Sequence, residues 1–224
     1  MEYIETLKEI FIGGHRYEYI VEGLLFSLGV TALAGILGII LGVLLALMRL
    51  SKYKLVNRIA LSYIDIIRGT PAVVQLMILA NVIFVGVLRD TPILIIAAIA
   101  FGMNSGAYVA EIIRSGIEGL DKGQMEAARS LGMNYFTAMK EIIIPQAVKK
   151  ILPALVSEFI TLLKETSIVG FIGGVDLLRS ASIITSQTYR GVEPLLAVGI
   201  IYLILTSIFT KFMRKIEGGL KASD

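Results

Sequence analysis

The chain has 224 residues, 56 % of them hydrophobic and 17 % charged, with a net charge of +3 and a mean hydropathy of +0.80. A soluble domain carries about a quarter charged residues and just under half apolar, so this composition is that of a membrane protein. The absence of Cys excludes disulfide frameworks, thiolate metal sites and cysteine nucleophiles, and the single histidine, His15, excludes a His metal cluster, a Ser-His-Asp triad and a HExxH protease.

Glu2, Glu5 and Glu9 precede the first long apolar run. A secretory signal would begin with a basic region and carry a small-residue cleavage site, so the first span is expected to be retained. Ile4, Leu7 and Phe11 fall at helical spacing, which suits either a helix lying flat on the outer membrane surface or a disordered tail.

A spanning helix needs about 20 mostly apolar residues. Five such stretches follow in order: about 19–48, 55–88, 92–113, 151–169 and 194–212, with a long polar connection at 114–150. The fold class expected is therefore an all-α membrane protein of about five transmembrane helices, forming a single transmembrane domain over 1–224. The first and second stretches are long enough for tilt or an interfacial turn. The segment 170–193 is too polar to span and is expected to hold a short surface helix.

Lys and Arg set the orientation. One set of connections carries Arg49, Lys52, Lys54, Arg58, Arg114, Lys122, Arg129, Lys140, Lys149, Lys150, Lys211, Arg214, Lys215 and Lys221; the other carries only Lys8, Arg16, Arg89, Arg179 and Arg190. The N-terminus is expected outside and the C-terminus in the cytoplasm. The same bias explains the positive charge without nucleic acid.

Small residues recur at every fourth position, Ala34, Gly38, Gly42 and Ala46 in the first span and Ala98, Gly102, Gly106 and Ala110 in the third. Such stripes let helix backbones approach closely in lipid. They serve packing inside one subunit or contact across a dimer.

In the polar connection, Glu126-Ala127-Ala128-Arg129-Ser130-Leu131-Gly132 is followed by Ile142-Ile143-Ile144-Pro145. Met125–Leu131 reads as a short amphipathic helix after a break at Gly123, with Gly132 suited to a left-handed C-cap. A second helix, Tyr135–Ile144, is expected to be stopped by Pro145. The spacing resembles the EAA loop of ABC-importer permease subunits: EAA, three residues, Gly, nine residues, Ile, one apolar residue, then an apolar residue and Pro. Ile144 stands where that pattern has Leu. Arg68-Gly69-Thr70-Pro71 with Val74-Gln75-Leu76 is similar to a signature of the polar amino-acid importers. Gly106-Ala107-Tyr108-Val109-Ala110-Glu111-Ile112 and Leu163-Lys164-Glu165-Thr166-Ser167 resemble two further stretches of that subfamily.

The resemblance implies a type I ABC importer fold and a permease for amino acids of the histidine, glutamine and arginine kind. It implies that Glu126, Ala127, Ala128 and Gly132 contact a cytoplasmic ATPase. The implied partners are an ATPase dimer, a second permease copy or related chain, an external amino-acid-binding protein and the bilayer of a prokaryotic inner or cell membrane. No GxxxxGK[ST] P-loop occurs in the chain, so no cofactor is expected here, ATP and Mg belonging to the partner.

Polar residues inside spans cost about 2.5–3.5 kcal/mol each on insertion scales and are functional candidates. Asp65 and Arg68 are three apart and could pair on one helix side; Asp65 lies roughly 15 Å into a ~30 Å core. Pro71 removes a backbone hydrogen bond, so unwinding is expected beside Thr70, with Gln75 one turn on. Asn104 and Ser105 are central in the third span, Glu158 and Thr161 in the fourth, with Lys164 and Glu165 toward its outer end. These residues could line one aqueous cavity, in which Thr70, Gln75, Asn104 and exposed backbone N–H groups could hold a carboxylate, and Asp65, Glu158 or Glu165 a cationic group. Alternatively Asp65–Arg68 and Lys164–Glu165 are structural pairs. Glu158 has no basic residue at i±3 or i±4, which favours arginine, lysine or histidine as cargo over glutamine or another neutral or acidic amino acid. The rival classes are an intramembrane enzyme using Asp65 or Glu158 as an acid, and a channel or scaffold.

Overall fold

The computed structural model describes residues 2–84 and 90–221, and among these there are helices and turns and no strand. Arg89, assigned above to the outer side, and the last residues of the stretch 55–88 lie outside the described residues. Helix α1 (Glu2–Phe11) is followed by a short 3-10 turn and by α2 (Tyr17–Arg49). At ~1.5 Å per residue, the 33 residues of α2 exceed the ~30 Å hydrocarbon core. Arg49 Nη1 donates to Asn57 Oδ1 at 2.6 Å and the Asn57 amide returns a bond to the Arg49 carbonyl, fixing the corner into α3 (Lys54–Arg68).

The stretch 55–88, read as one span, is not one straight helix. It bends by 103° between α3 and α4 (Ala72–Ile78), which runs on into a π-helical turn at Leu79–Phe84. The cause is Pro71, which has no N–H to donate and pushes Thr70 out of the helical region. The third stretch becomes α5 (Ile93–Glu118) and reaches into the connection 114–150. There α6 (Lys122–Ser130) begins at Asp121, whose side chain accepts from Gly123 N at 2.8 Å; Gly123 is thus inside the helix, not a break before it.

Pro145 does not stop a helix. After α7 (Tyr135–Ala138) the chain widens into a π turn at Met139–Ile143 and continues as α8 (Ile144–Glu165), with Pro145 in the first turn of α8. The π turn immediately before it, in which Ile144 N donates to Met139 O, widens the helix where the proline ring and its missing N–H interrupt the bonding, so the helix runs on through Pro145. The α-helical part of the fourth stretch therefore covers Ile144–Glu165, and Thr166–Ile172 is 3-10. The surface helix expected in 170–193 is α9 (Leu177–Thr188). Asp176 caps it, accepting from Leu178 N, Arg179 N and Gly170 N at 2.7–2.9 Å. The chain ends with α10 (Val192–Lys221).

Among the described residues three helices are long and apolar enough to cross a membrane, and the two bent pairs bring the total to five if each counts as one span. The core has a main layer in which Val30, Leu76, Phe101, Leu162 and Val169 join α2, α4, α5, α8 and the 3-10 segment. A second layer joins Leu45, Ala60, Ile64 and Ala107. Ile36, Ile40 and Leu44 on α2 and Leu196, Ile200 and Leu203 on α10 remain exposed, a surface suited to acyl chains.

The two small-residue stripes meet each other within the one chain. A Cβ on Gly42 would stand 2.4 Å from Val109 Cγ1, one on Gly106 2.9 Å from Leu41 Cδ2, and one on Gly38 3.0 Å from Ser105. The packing reading of these stripes thus accounts for them. Between segments far apart in the chain, backbone comes nearest at Gly23, where a Cβ would lie 2.7 Å from the Asp176 carbonyl oxygen and 3.1 Å from Leu177 Cα. Backbone cannot swing aside, and overpacking of this kind costs about 1–3 kcal/mol. Gly23→Ala is expected to lower the apparent melting temperature of the detergent-purified protein. Gly199→Ala, with nothing within 4 Å of the added Cβ, should leave it unchanged or raise it.

Candidate functional site

The break at Pro71 leaves carbonyls at the end of α3 without helical partners. Gln75 satisfies them: its amide nitrogen donates to Ile67 O at 2.7 Å, Thr70 O at 3.1 Å and Thr70 Oγ1 at 2.7 Å. Asn104 Nδ2, buried on α5, donates to Gln75 Oε1 at 2.9 Å, and Tyr63 O–H donates to Met103 O at 2.9 Å. Thr70, Gln75 and Asn104 therefore come together as one network that staples the unwound turn to α5. Backbone unwound at membrane depth is tolerated where protein or a watery cavity surrounds it.

Ser105, the next residue on α5, points to α8 instead. Its hydroxyl donates to Glu158 Oε1 at 2.9 Å. A slot of about 30 Å³ lies beside this pair, lined by Gly35, Val109, Phe159 and Leu162 among others. That is roughly the volume one water occupies in the liquid, too small for an amino acid. Glu158 and Glu165, two turns apart on α8, are both half-buried. Among the described residues no ion pair engages Glu158 or Glu165.

The expected pair of Asp65 and Arg68 does not form. Arg68 lies over the ring of Tyr108, 5.2 Å from its centroid. Asp65 is exposed and is not drawn into the cluster. Lys164 and Glu165 form no ion pair either. Thr161 is exposed and donates to Ser157 O of its own helix at 3.0 Å. Ser157, Thr161 and Lys164 line one exposed polar face of α8. A polar face at mid-membrane belongs against water or protein, not lipid. Arg68 joins this cluster although sequence reasoning had assigned it only to a structural pair. The signal was its place among intramembrane charges, but the aromatic partner forty residues away was not visible.

At the opposite end of α5 and α8, the polar connection folds as a knob. Gly132 has φ +85°, the left-handed turn its position suggested, and Met133 N donates back to Ala128 O at 3.2 Å. The bonds Gln146 Nε2 to Gln124 Oε1 (3.1 Å) and Lys150 Nζ to Gly119 O (2.8 Å) tie the knob to the neighbouring helix ends. Glu126 and Ala127 face outward, whereas Ala128 is turned inward at 4 % exposure. The outward apolar groups are Leu131 (82 % exposed), Phe136 (76 %) and Tyr135 (63 %). None of these three was singled out from sequence, because a helix this short does not declare which face its neighbours cover.

The family described as the binding-protein-dependent transport system inner membrane component matches residues 38–221. The arginine transport system permease protein ArtQ of Bacillus subtilis is 42 % identical over 92 % of this chain and 94 % of its own length. The glutamate/aspartate import permease protein GltK of Escherichia coli is 35 % identical over 88 % of this chain and 92 % of its own length. The crystal structure of an amino acid ABC transporter with histidines contains a chain that superposes with a TM-score of 0.86 at 45 % identity, covering 92 % of this chain and 97 % of that one. These likenesses agree with the four motifs and with the fold just described: the chain is an amino-acid ABC-transporter permease subunit and belongs to the family of binding-protein-dependent transport system inner membrane components.

Proposed function

We propose that the chain is the membrane-spanning half of an ATP-driven importer for a cationic amino acid, arginine, lysine or histidine. The single observation that carries the substrate class is Glu158: a half-buried intramembrane carboxylate held by Ser105, with Glu165 two turns along the same helix and no ion-pair partner among the described residues. An arriving cation would relieve the desolvation of these carboxylates, and Arg68, charged and close by, would receive the α-carboxylate of the same molecule. The polar face of α8 supports a cavity completed by a second permease copy, since the slot within one chain is too small for an amino acid. Asp65, Thr70, Gln75, Asn104 and Thr161 would border that cavity, Gln75 and Asn104 mainly as the staple that holds its wall.

In this reading the N-terminus is outside, the membrane is a prokaryotic cell or inner membrane, and an external amino-acid-binding protein delivers the cargo. Two cytoplasmic ATPases grip the knobs through Glu126, Ala127, Gly132 and the apolar groups beside them. ATP and Mg act on those subunits. Their closure draws the knobs together and opens the pair outward, and hydrolysis resets it inward. A glutamine importer is the second reading, favoured by the side-chain amides of Gln75 and Asn104 at the unwound turn.

The test is a thermal-shift panel of the twenty amino acids on the detergent-purified permease with its ATPase. A ligand that binds only the folded state raises its apparent stability. Arginine, lysine or histidine is expected to raise it. A shift with glutamine alone would overturn the cationic reading, and a flat panel would move selection to the external receptor.

A further inference from the structure

The corner between α2 and α3 gathers cations without counter-charges. Lys52, Lys54 and Arg58 are all exposed. Lys52 lies over the ring of Tyr53, its ammonium 5.6 Å from the centroid. The side chains of Lys54 and Arg58 enter no ion pair among the described residues. No acid occurs between Arg49 and Asp65. At the same end of α5, Glu111 and Glu118 are both taken by Arg114. Arg49 is occupied in building the corner through Asn57.

Lys54 and Arg58 stand four apart in the first two turns of α3. Like charges at that spacing repel, and the helix dipole disfavours cations at this end. Left uncompensated, the row weakens the helix that carries Arg68 and leads into the break at Pro71. Beside it runs an apolar row: Leu55 and Ile59, each one position further on, are 72 % and 55 % exposed, and Leu47 and Leu50 at the end of α2 are exposed as well. Cations at the head of an apolar row match a phospholipid in both its parts, phosphate and hydrocarbon. A free anion or a nucleic acid would leave Leu55 and Ile59 uncovered.

We propose that this corner is a site for an anionic phospholipid, with the headgroup phosphate between Lys54 and Arg58, Lys52 at its rim, and an acyl chain along Leu55 and Ile59. This rests on the orientation given under the proposed function, which sets the corner at the cytoplasmic leaflet, where anionic lipids attract basic segments. The lipid supplies the negative charge that no side chain of the corner supplies.

The experiment melts the permease–ATPase complex in nanodiscs of phosphatidylcholine with and without phosphatidylglycerol, wild type beside Lys54→Gln/Arg58→Gln. A ligand of the folded state raises apparent stability. The wild type is expected to gain melting temperature from phosphatidylglycerol, and the double variant to lose at least half of that gain. In phosphatidylcholine alone the variant should melt at or above the wild type, because it sheds a like-charge pair; a packing role would lower it in both lipids and overturn the proposal. Lys54→Arg/Arg58→Lys should keep the full gain, as should Lys140→Gln, which removes an ammonium already paired with Glu141. An equal gain in the wild type and in Lys54→Gln/Arg58→Gln would overturn the proposal. So would equal stabilisation of the detergent-purified complex by inorganic phosphate, which would mark a free-anion site. Loss of co-purifying ATPase from the double variant would make the patch a protein contact and overturn it too. Orientation is read separately, since the chain has no Cys: a Ser51→Cys variant labelled by an impermeant maleimide on intact cells would overturn the outward N-terminus and the importer reading built on it, whichever way the lipid melting falls.

Discussion

Glu158→Gln is expected to reduce uptake of a cationic amino acid by roughly 10- to 100-fold while leaving the permease folded. The substitution keeps an oxygen where Ser105 Oγ now donates at 2.9 Å, so the α5–α8 contact survives. It removes the negative charge. A hydrogen bond to a charged group contributes about 1.5–3 kcal/mol, and each 1.4 kcal/mol is tenfold in affinity. The measurement is ATP-dependent uptake of radiolabelled arginine into proteoliposomes carrying the complete complex, with a neutral amino acid as comparison. Because Glu165 stands two turns from Glu158 on the same helix, Glu165→Gln should cause a smaller loss and the double variant less than the product of the two. Uptake of arginine by Glu158→Gln at the wild-type rate would remove this carboxylate from the substrate site.

Much of the architecture follows from features that act locally. Apolar length marks the spans, Pro71 forces the break in the second one, and Gly132 takes the left-handed turn. What the sequence left open depended on residues far apart in the chain. Asp65 and Arg68 stand at a spacing that permits an ion pair, yet Arg68 goes to the Tyr108 ring on another helix. Pro145 reads as a terminator, but the π turn at Met139–Ile143 absorbs it and the helix continues. The glycine stripes specify close approach without naming the partner; the facing stripe of the same chain supplies it. In the candidate site, Ser105 and Glu158 were visible as costly polar residues in apolar spans. Their bond was not, because neighbours at positions 104 and 105 of one helix turn toward different partners.

Phe136→Asp is expected to weaken assembly with the ATPase by roughly 30-fold or more and to abolish ATP-driven uptake. Phe136 and Leu131 are 76 % and 82 % exposed on the knob beside Gly132, so their substitution removes almost nothing from the core. Truncating a central apolar anchor of a protein interface costs about 2 kcal/mol or more, and a carboxylate in its place adds desolvation. Glu126→Arg, on the exposed face of α6, should also abolish uptake while the spans stay folded. Ala128→Leu distinguishes contact from support: Ala128 is buried within the knob, so a larger side chain should lower the melting temperature of the permease alone, which Phe136→Asp should not. Co-purification of the ATPase with each variant, read beside melting of the isolated permease, separates the two effects. Retained ATPase binding and uptake in both Phe136→Asp and Glu126→Arg would mean that the partner grips another part of the cytoplasmic surface.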